Sequence, residues 1–333
     1  MKKKVLLPLC LLFLSLSMAL TGCGDSKKQG EGESVVYYTV TYDSNGGDAI
    51  EPRQVSAGGT LPDPGEPERA GYLFDGWTHN GVNVTVGETK VMENMTLRAT
   101  WISAESVFSY QRLGETNTAV LTELKRDREE LRIPTVIGNY TVVALGDRLF
   151  YGKTSETVQS IWVPHTVTTI GEKTFGMVRG VHIGFDERCR ITSLGEGAFF
   201  GCSGLEELPL GEGLVTIPYE AFAESGLTSV RLPESVTKIE ENAFDACDGL
   251  ITVMLHHTLM TVENGAFFEC ESLKTLFFYG TAEQAEALLT TGIAPMNAPF
   301  AEARIYLYAE QEPAADGEYE YWYLDENGKT KIW

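Results

Sequence analysis

Residues 227–244 read Leu-Thr-Ser-Val-Arg-Leu-Pro-Glu-Ser-Val-Thr-Lys-Ile-Glu-Glu-Asn-Ala-Phe, and the same phrase returns along the chain. Ala198-Phe199, Ala221-Phe222, Ala243-Phe244 and Ala266-Phe267 succeed one another at intervals of 23, 22 and 23 residues. Leu205, Leu227, Leu250 and Leu273 keep that rhythm, and so do Ile217, Ile239 and Val262. Cys202, Ser225, Cys247 and Cys270 share one position of the repeat. Looser copies end at Phe150 and Phe175. A fixed period of this length marks a solenoid, in which one unit cannot bury its apolar side alone and stacking makes a continuous core. Val230 and Leu232 alternate, which suits a short strand with one face inward. Pro233 comes just after that strand, where no ladder donor is needed. Ile239, Ala243, Phe244 and Cys247 fall on one face of a predicted short helical turn. Each phenylalanine is expected to lie on the next.

Upstream the texture changes. Val36 to Tyr42 is β-branched and aromatic and predicts a strand, with Asn45-Gly46-Gly47 after it as a tight turn. Gly71 to Trp77 predicts a second strand. In the third, Met95, Leu97, Ala99 and Trp101 alternate. Trp77 and Trp101 are the expected core anchors of so small a unit.

The N-terminus supplies an address. Lys2 to Lys4 precede an apolar run from Val5 to Leu20, interrupted by Pro8 and ending in Leu20-Thr21-Gly22-Cys23. A basic start, a short apolar stretch and small residues before a cut site form a secretion signal, and the run is shorter than the ~20 apolar residues of a spanning helix. Gly24 to Ser34 is polar and Gly-rich, the composition of a flexible tether.

Composition bounds the function. With 26 Lys plus Arg against 47 Asp plus Glu in 333 residues, the formal charge is −21. Loss of residues 1–22 removes three lysines, leaving 23 − 47 = −24. Neutralising phosphates requires surplus Lys and Arg, so a general nucleic-acid binder is excluded. Docking on anionic lipid through a basic patch is excluded on the same ground. An acidic surface fits an extracellular protein, including one that holds Ca²⁺ loosely.

Three resemblances attach to these residues. The Leu-Thr-Gly-Cys ending resembles a bacterial lipobox, which implies cleavage before Cys23 and lipid on that thiol. Val40 to Gly47, Gly71 to Trp77 and Thr96 to Trp101 resemble the Listeria–Bacteroides, or internalin B-repeat, module. That likeness implies a β-grasp-like fold over residues 36–102, serving as a spacer or touching host or wall components. The repeat resembles the BspA-like (Treponema-type) leucine-rich repeat over about 120–280. Gly211 and His256 stand where Pro is usual, and Ser225 where Cys is usual. This likeness implies an open solenoid on a bacterial surface, in a family that includes adhesins.

The expected fold is mainly β with short helices, a small β-grasp-like module followed by a leucine-rich-repeat solenoid. The expected order is signal peptide 1–22, tether 23–35, β module 36–102, solenoid 103–280 and C-terminal cap 281–333. In the cap, Thr281 to Leu289 predicts a short helix, with Ala282, Ala285, Leu288 and Leu289 inward. Tyr321-Trp322-Tyr323 belongs to the closing segment, which also faintly resembles choline-binding wall repeats.

Signatures of chemistry are sparse. The sequence has five histidines and no His-Glu-x-x-His pair, no Gly-x-Ser-x-Gly elbow and no phosphate-cradling Gly-x-x-x-x-Gly-Lys loop. His256-His257 admits a metal, but adjacent strand residues point to opposite faces. Cys247 and Cys270, on neighbouring turns, are either stacked buried thiols or a disulfide. The sequence therefore names no catalytic, cofactor or metal residue, and its one site residue is Cys23, for lipid. The expected function is a cell-surface, lipid-anchored, non-enzymatic binding or adhesion protein. It would contact an unknown protein or glycan ligand through the solenoid, and the membrane through the lipid on Cys23. The alternatives are a wall or glycan hydrolase, working through a pair of carboxylates, and a purely structural scaffold. Trp162, Tyr219, Phe277, Phe278 and Tyr279 are the aromatic residues to watch for exposure. No ligand-binding residue is singled out.

Overall fold

The computed structural model describes residues 35–311, 320–325 and 329–332. The expected signal peptide, Cys23 and the expected tether as far as Ser34 lie outside the described residues.

The first module is one sheet of five strands: β1 (Tyr37–Asp43), β2 (Arg53–Ser56), β3 (Tyr72–His79), β4 (Val82–Val84) and β5 (Met95–Ser103). Their order is β2-β1-β5-β3-β4, with β1 and β5 parallel at the centre. Parallel central strands flanked by antiparallel neighbours make the β-grasp arrangement. Val40, Tyr42, Leu61, Trp77, Leu97 and Ala99 fill its core, as the period-two pattern requires. Tyr42 and Phe74 each meet Trp77 edge to face, at 5.4 and 5.3 Å.

No linker separates this module from the solenoid. β5 passes directly into α1 (Ala104–Val107), whose two buried residues are Ala104 and Val107. Leu73 of β3, 4% exposed, sits in the solenoid's core cluster rather than the module's own. Arg128 pairs with Asp75 at 2.9 Å, and Arg132 pairs with Glu66. The Ala104 amide donates to the Gly71 carbonyl at 2.9 Å.

The solenoid carries two ladders of short parallel strands. One runs through Glu130–Arg132, Ser160–Val163 and His182–Phe185. It resumes with Ser229–Arg231, Thr252–His256 and Thr275–Tyr279. The other holds Thr118–Leu124, Tyr140–Leu145, Thr169–Ile170 and Ser193–Leu194, and resumes at Thr216–Ile217. Both ladders are interrupted near residues 206–210, where a single bridge joins Ile191 to Leu210.

The phenylalanines carry the core across this break. Ring centroids lie 5.2 Å apart for Phe150–Phe175, 5.0 Å for Phe175–Phe199 and 5.7 Å for Phe199–Phe222. Phe222–Phe244 and Phe244–Phe267 stand at 5.1 and 5.0 Å, every pair stacked. The backbone keeps the same step: the amides of Phe199, Phe222 and Phe244 donate to Ala221, Ala243 and Ala266 carbonyls at 2.8 Å. The expected lining-up of Phe199, Phe222, Phe244 and Phe267 is therefore met.

The segment between strand and phenylalanine differs from expectation. It is a chain of turns and not a helical turn. Two positions per coil adopt left-handed φ, such as Glu220 and Glu224 (50° and 54°) or Asn242 and Ala246 (56° and 51°). Left-handed residues four apart stop a right-handed helix from propagating. They turn the chain so that each Phe and Cys points inward.

Cys247 and Cys270 are buried free thiols. Each Sγ donates to the carbonyl of the preceding coil's phenylalanine, Cys247 to Phe222 at 3.0 Å and Cys270 to Phe244 at 2.9 Å. Burial pushes the Cys202 thiol up to about 12.

Past Tyr279 the array continues. The expected helix is there, Ala282–Ala287, capped by Thr281, and a π-type turn comes after it at Leu288–Gly292. Ala285 and Leu288 are buried. Arg304–Tyr308 pairs parallel to Thr275–Tyr279, then Glu320–Leu324 parallel to that, and Thr330–Ile332 folds back antiparallel. Phe300 stacks on Phe267 at 4.7 Å, extending the ring column by one place. Where the next coil's backbone would stand, the 3%-exposed Asn297 side chain substitutes. Its Oδ1 accepts from the Phe267 amide at 2.8 Å, and its Nδ2 donates to Glu263 and Ala294 carbonyls at 2.8 and 2.9 Å.

Candidate functional site

In the first ladder, alternate residues point away from the core. Ile161 and Val163 are buried, whereas Trp162 between them is half-buried. Val253 and Leu255 point in, and Thr252, Met254 and His256 point out. Parallel register then aligns outward residues into rows: Arg132 beside Trp162 beside Gly184, and Met254 beside Phe277 beside Tyr306. The strand periodicity alone places these side chains on one broad face.

At the far end the face is aromatic. His256 stacks on Tyr279 at 4.4 Å, Tyr279 meets Tyr308 at 4.8 Å, and Tyr308 meets Trp322 at 5.0 Å. Burial lowers the His256 pKa and raises that of Tyr279. Trp322 is fully buried in this cluster, so the rings largely cover one another.

At the near end the face meets the β module and forms a cleft of about 290 Å³. Tyr72, Trp101, Arg69 and Glu66 line it from the module, and Arg132, Trp162, Pro164 and Asp186 from the solenoid. Two glycines set the indoles. A Cβ on Gly47 would stand 2.6 Å from Trp101, and one on Gly184 would run into the Trp162 ring. Each indole therefore packs against a glycine where a side chain would have no room. The Trp101 Nε1 donates to the Ser44 carbonyl at 3.1 Å, which fixes it in plane. Guanidiniums sit over these rings: Arg69 is 4.1 Å from the Tyr72 centroid and Arg132 is 5.4 Å from that of Trp162.

The cleft's charges are largely spoken for. Arg188 holds Asp186 by two side-chain hydrogen bonds, at 3.0 and 2.8 Å, and keeps its carboxyl well below the usual carboxylate range. Glu66 is pushed up by burial, against which its partner Arg132 works.

Of the five aromatic residues proposed from sequence, Tyr219 is 37% exposed, and Trp162, Phe277 and Tyr279 are half-buried on the outward face. Phe278 points inward and is buried. His256 ends its strand and His257 lies exposed beyond it. Among the described residues no group of three or more His, Cys, Asp or Glu side chains is placed to hold a metal ion. Sequence reasoning missed Tyr72, Arg69 and Arg132. The periodicity that finds a core carries no signal for two modules meeting.

Comparison with known proteins bears on both modules. Residues 38–100 match the Listeria-Bacteroides repeat domain. Residues 130–250 and 181–287 match the BspA type leucine rich repeat region, in six copies. Two curated proteins of Evansella cellulosilytica are similar. One, provisionally named a Gly-rich membrane protein, is 30% identical over 101 residues, 27% of this chain and 12% of that protein. The other, provisionally named a membrane protein, is 37% identical over 67 residues, 19% of this chain and 10% of that one. The chain thus spans about a tenth of the length of the curated relatives it matches. Among solved structures, the leucine rich repeat protein of T. pallidum is 24% identical with a TM-score of 0.45, covering 54% of this chain and 86% of that one. A leucine rich cell surface protein of Faecalibacterium prausnitzii is 15% identical with a TM-score of 0.30, covering 61% and 87%. The chain joins a Listeria-Bacteroides repeat domain to a BspA type leucine rich repeat region.

Proposed function

We propose that this is a non-enzymatic binding or adhesion protein, held at the outer face of a bacterial membrane by lipid on Cys23. Its ligand, a protein or a glycan, is engaged by the outward strand face and the cleft at its end. The observation that carries the reading is the face itself. Strand alternation delivers the outward side chains of each strand to one face, in two runs on either side of the break near residues 206–210. Solenoids present extended surfaces of this kind to ligands. Non-enzymatic action is supported by the state of the cleft's acids. Asp186 is clamped by Arg188 and held in its charged form, which does not suit it to donate a proton. The lipobox supports the anchor, and two or three acyl chains hold a protein stably at ~0.8 kcal/mol per buried CH₂.

The test is binding of the mature protein to wall fragments, mucin, matrix proteins and host cells. Retention by at least one of these is expected, and retention by none sinks the reading. Changing Cys23→Ser is expected to move the protein from membrane to medium, and a protein still in the membrane would remove the anchor from the account.

A further inference from the structure

We propose that an apolar corner of the β module, formed by Val35, Val36, Tyr37 and Met92, docks on the surface of the bilayer that holds Cys23. This rests on the lipid anchor proposed above and gives the anchored chain a fixed footing.

Backbone pairing assembles the corner. Val35 and Val36 lead into β1, which opens on Tyr37. The Val36 carbonyl accepts from the Ala57 amide at 2.8 Å, and the next amide, of Gly58, donates to the Val91 carbonyl at 2.8 Å. In the parallel register Val40 stands beside Met95, and three residues back on each chain are Tyr37 and Met92. The Asn94 Oδ1 accepts from the Thr39 amide at 2.8 Å and closes the join. The four side chains are 62%, 54%, 60% and 66% exposed. Beside Met92 in sequence stand Lys90 and Glu93, one charge of each sign.

Topology gives the corner a direction. β1 and β5 are parallel, and β5 runs on into α1 and the solenoid. The corner therefore lies at one end of this central pair and the solenoid at the other. The nine residues of β5 span about 30 Å at ~3.3 Å each. The chain from Cys23 arrives at the corner's end. A module seated there points the solenoid and its outward strand face away from the membrane.

The tether's reach selects the occupant. Gly24 to Ser34 is 11 residues, at most about 40 Å when extended and ~17–20 Å end to end when flexible. It carries no apolar side chain with which to cover the corner itself. Four side chains fall far short of the roughly 20–30 residues a side of a stable protein interface. Neither a second copy nor a folded partner would be held by them from free solution. A bilayer tied to the corner through Cys23 is at high effective concentration, where a weak contact suffices. Tyrosine suits the headgroup level, and valine and methionine the acyl boundary beneath it. The contact is apolar, in keeping with a chain that has no surplus of basic residues.

The mature chain is coupled through Cys23 to a maleimide-bearing lipid in phosphatidylcholine vesicles. Its other cysteines, Cys189, Cys202, Cys247 and Cys270, are buried and do not compete. Met92→Trp is the reporter, read against phosphatidylcholine with brominated acyl chains, which quench indoles at short range. Quenching beyond that of the parent is expected. Met260→Trp, at a 72%-exposed site on the solenoid, is expected to add none. Val35→Asp with Val36→Asp, both ahead of β1, is expected to abolish the reporter's added quenching with an unchanged melting curve. The proposal is overturned if Met92→Trp is quenched no more than the parent, or if the double aspartate variant leaves the quenching intact. It is overturned too if Met260→Trp is quenched as strongly, since the solenoid would then lie on the membrane. Sedimentation of the uncoupled protein as a dimer that the aspartates dissolve would make a second copy the occupant and would likewise end it. An unquenched reporter in a protein whose place in the cell depends on Cys23 ends the docking and leaves the anchor standing. A Cys23→Ser protein that stays in the membrane ends both.

Discussion

Phe244 is fully buried between Phe222 and Phe267, so its removal leaves a hole that two stacked rings cannot close. Phe244→Ala is expected to cost ~3–5 kcal/mol, read from denaturant unfolding. An unchanged midpoint would mean that the ring column does not carry the core. Asn297 acts differently, since it adds no apolar area. It satisfies the Phe267 amide and two carbonyls that would otherwise be stranded at the end of the array. Asn297→Ala is expected to cost about 1–3 kcal/mol, and Asn297→Asp to recover the acceptor but not the donors. Asp186 supplies a pH signature. Its folded pKa lies below the unfolded value of ~3.9, so its stabilisation is present above that value and lost as pH falls through the folded one. Asp186→Asn should therefore lower stability at neutral pH, and the gap to the parent should narrow only in strong acid. A gap that stays constant from pH 7 to pH 2 would show that the Arg188 clamp is not its source.

The elements divide into those a repeat phrase predicts and those that depend on a neighbour. The strands at Ser229–Arg231 and Thr252–His256 are legible from Val230/Leu232 and Val253/Leu255, because a period of two has one physical meaning. Apolar spacing predicts a helical turn before each phenylalanine, because spacing alone does not report backbone handedness. Asn242 and Ala246 at positive φ decide it. The junction of the modules is not legible. Leu73 sits within a strand pattern that fits the module's own core, yet it packs into the solenoid. Leu73→Ala is expected to cost about 2–5 kcal/mol and to expose the segment around Ser103 to protease. A parent protein whose modules melt in two separate steps would contradict this docking.

Across the whole molecule, long-range charge opposes the compact state. A chain of formal charge −21 repels itself, and salt at 0.15 M screens charges beyond about 8 Å. The melting temperature is expected to rise as NaCl goes from 10 to roughly 150 mM, the Debye length falling over that span. A falling melting temperature would mean that surface ion pairs such as Lys238 with Glu263 outweigh the general repulsion. The proposed lipid-anchored address, by contrast, rests on the resemblance of Leu20-Thr21-Gly22-Cys23 to a lipobox and is independent of the fold.

The amino-acid sequence by itself determined the repeat period, the phenylalanine column, the β module and the absence of a basic surface. Each of these is a matter of local chemistry recurring at a fixed interval, and recurrence survives in one dimension. Only the tertiary structure decided where the column ends on Asn297 and Phe300, and that the module is docked and not swung on a linker. It alone placed Tyr72 and Trp162 in one cleft. Those facts join residues about 90 positions apart through shape and charge, for which neither residue carries a signal of its own.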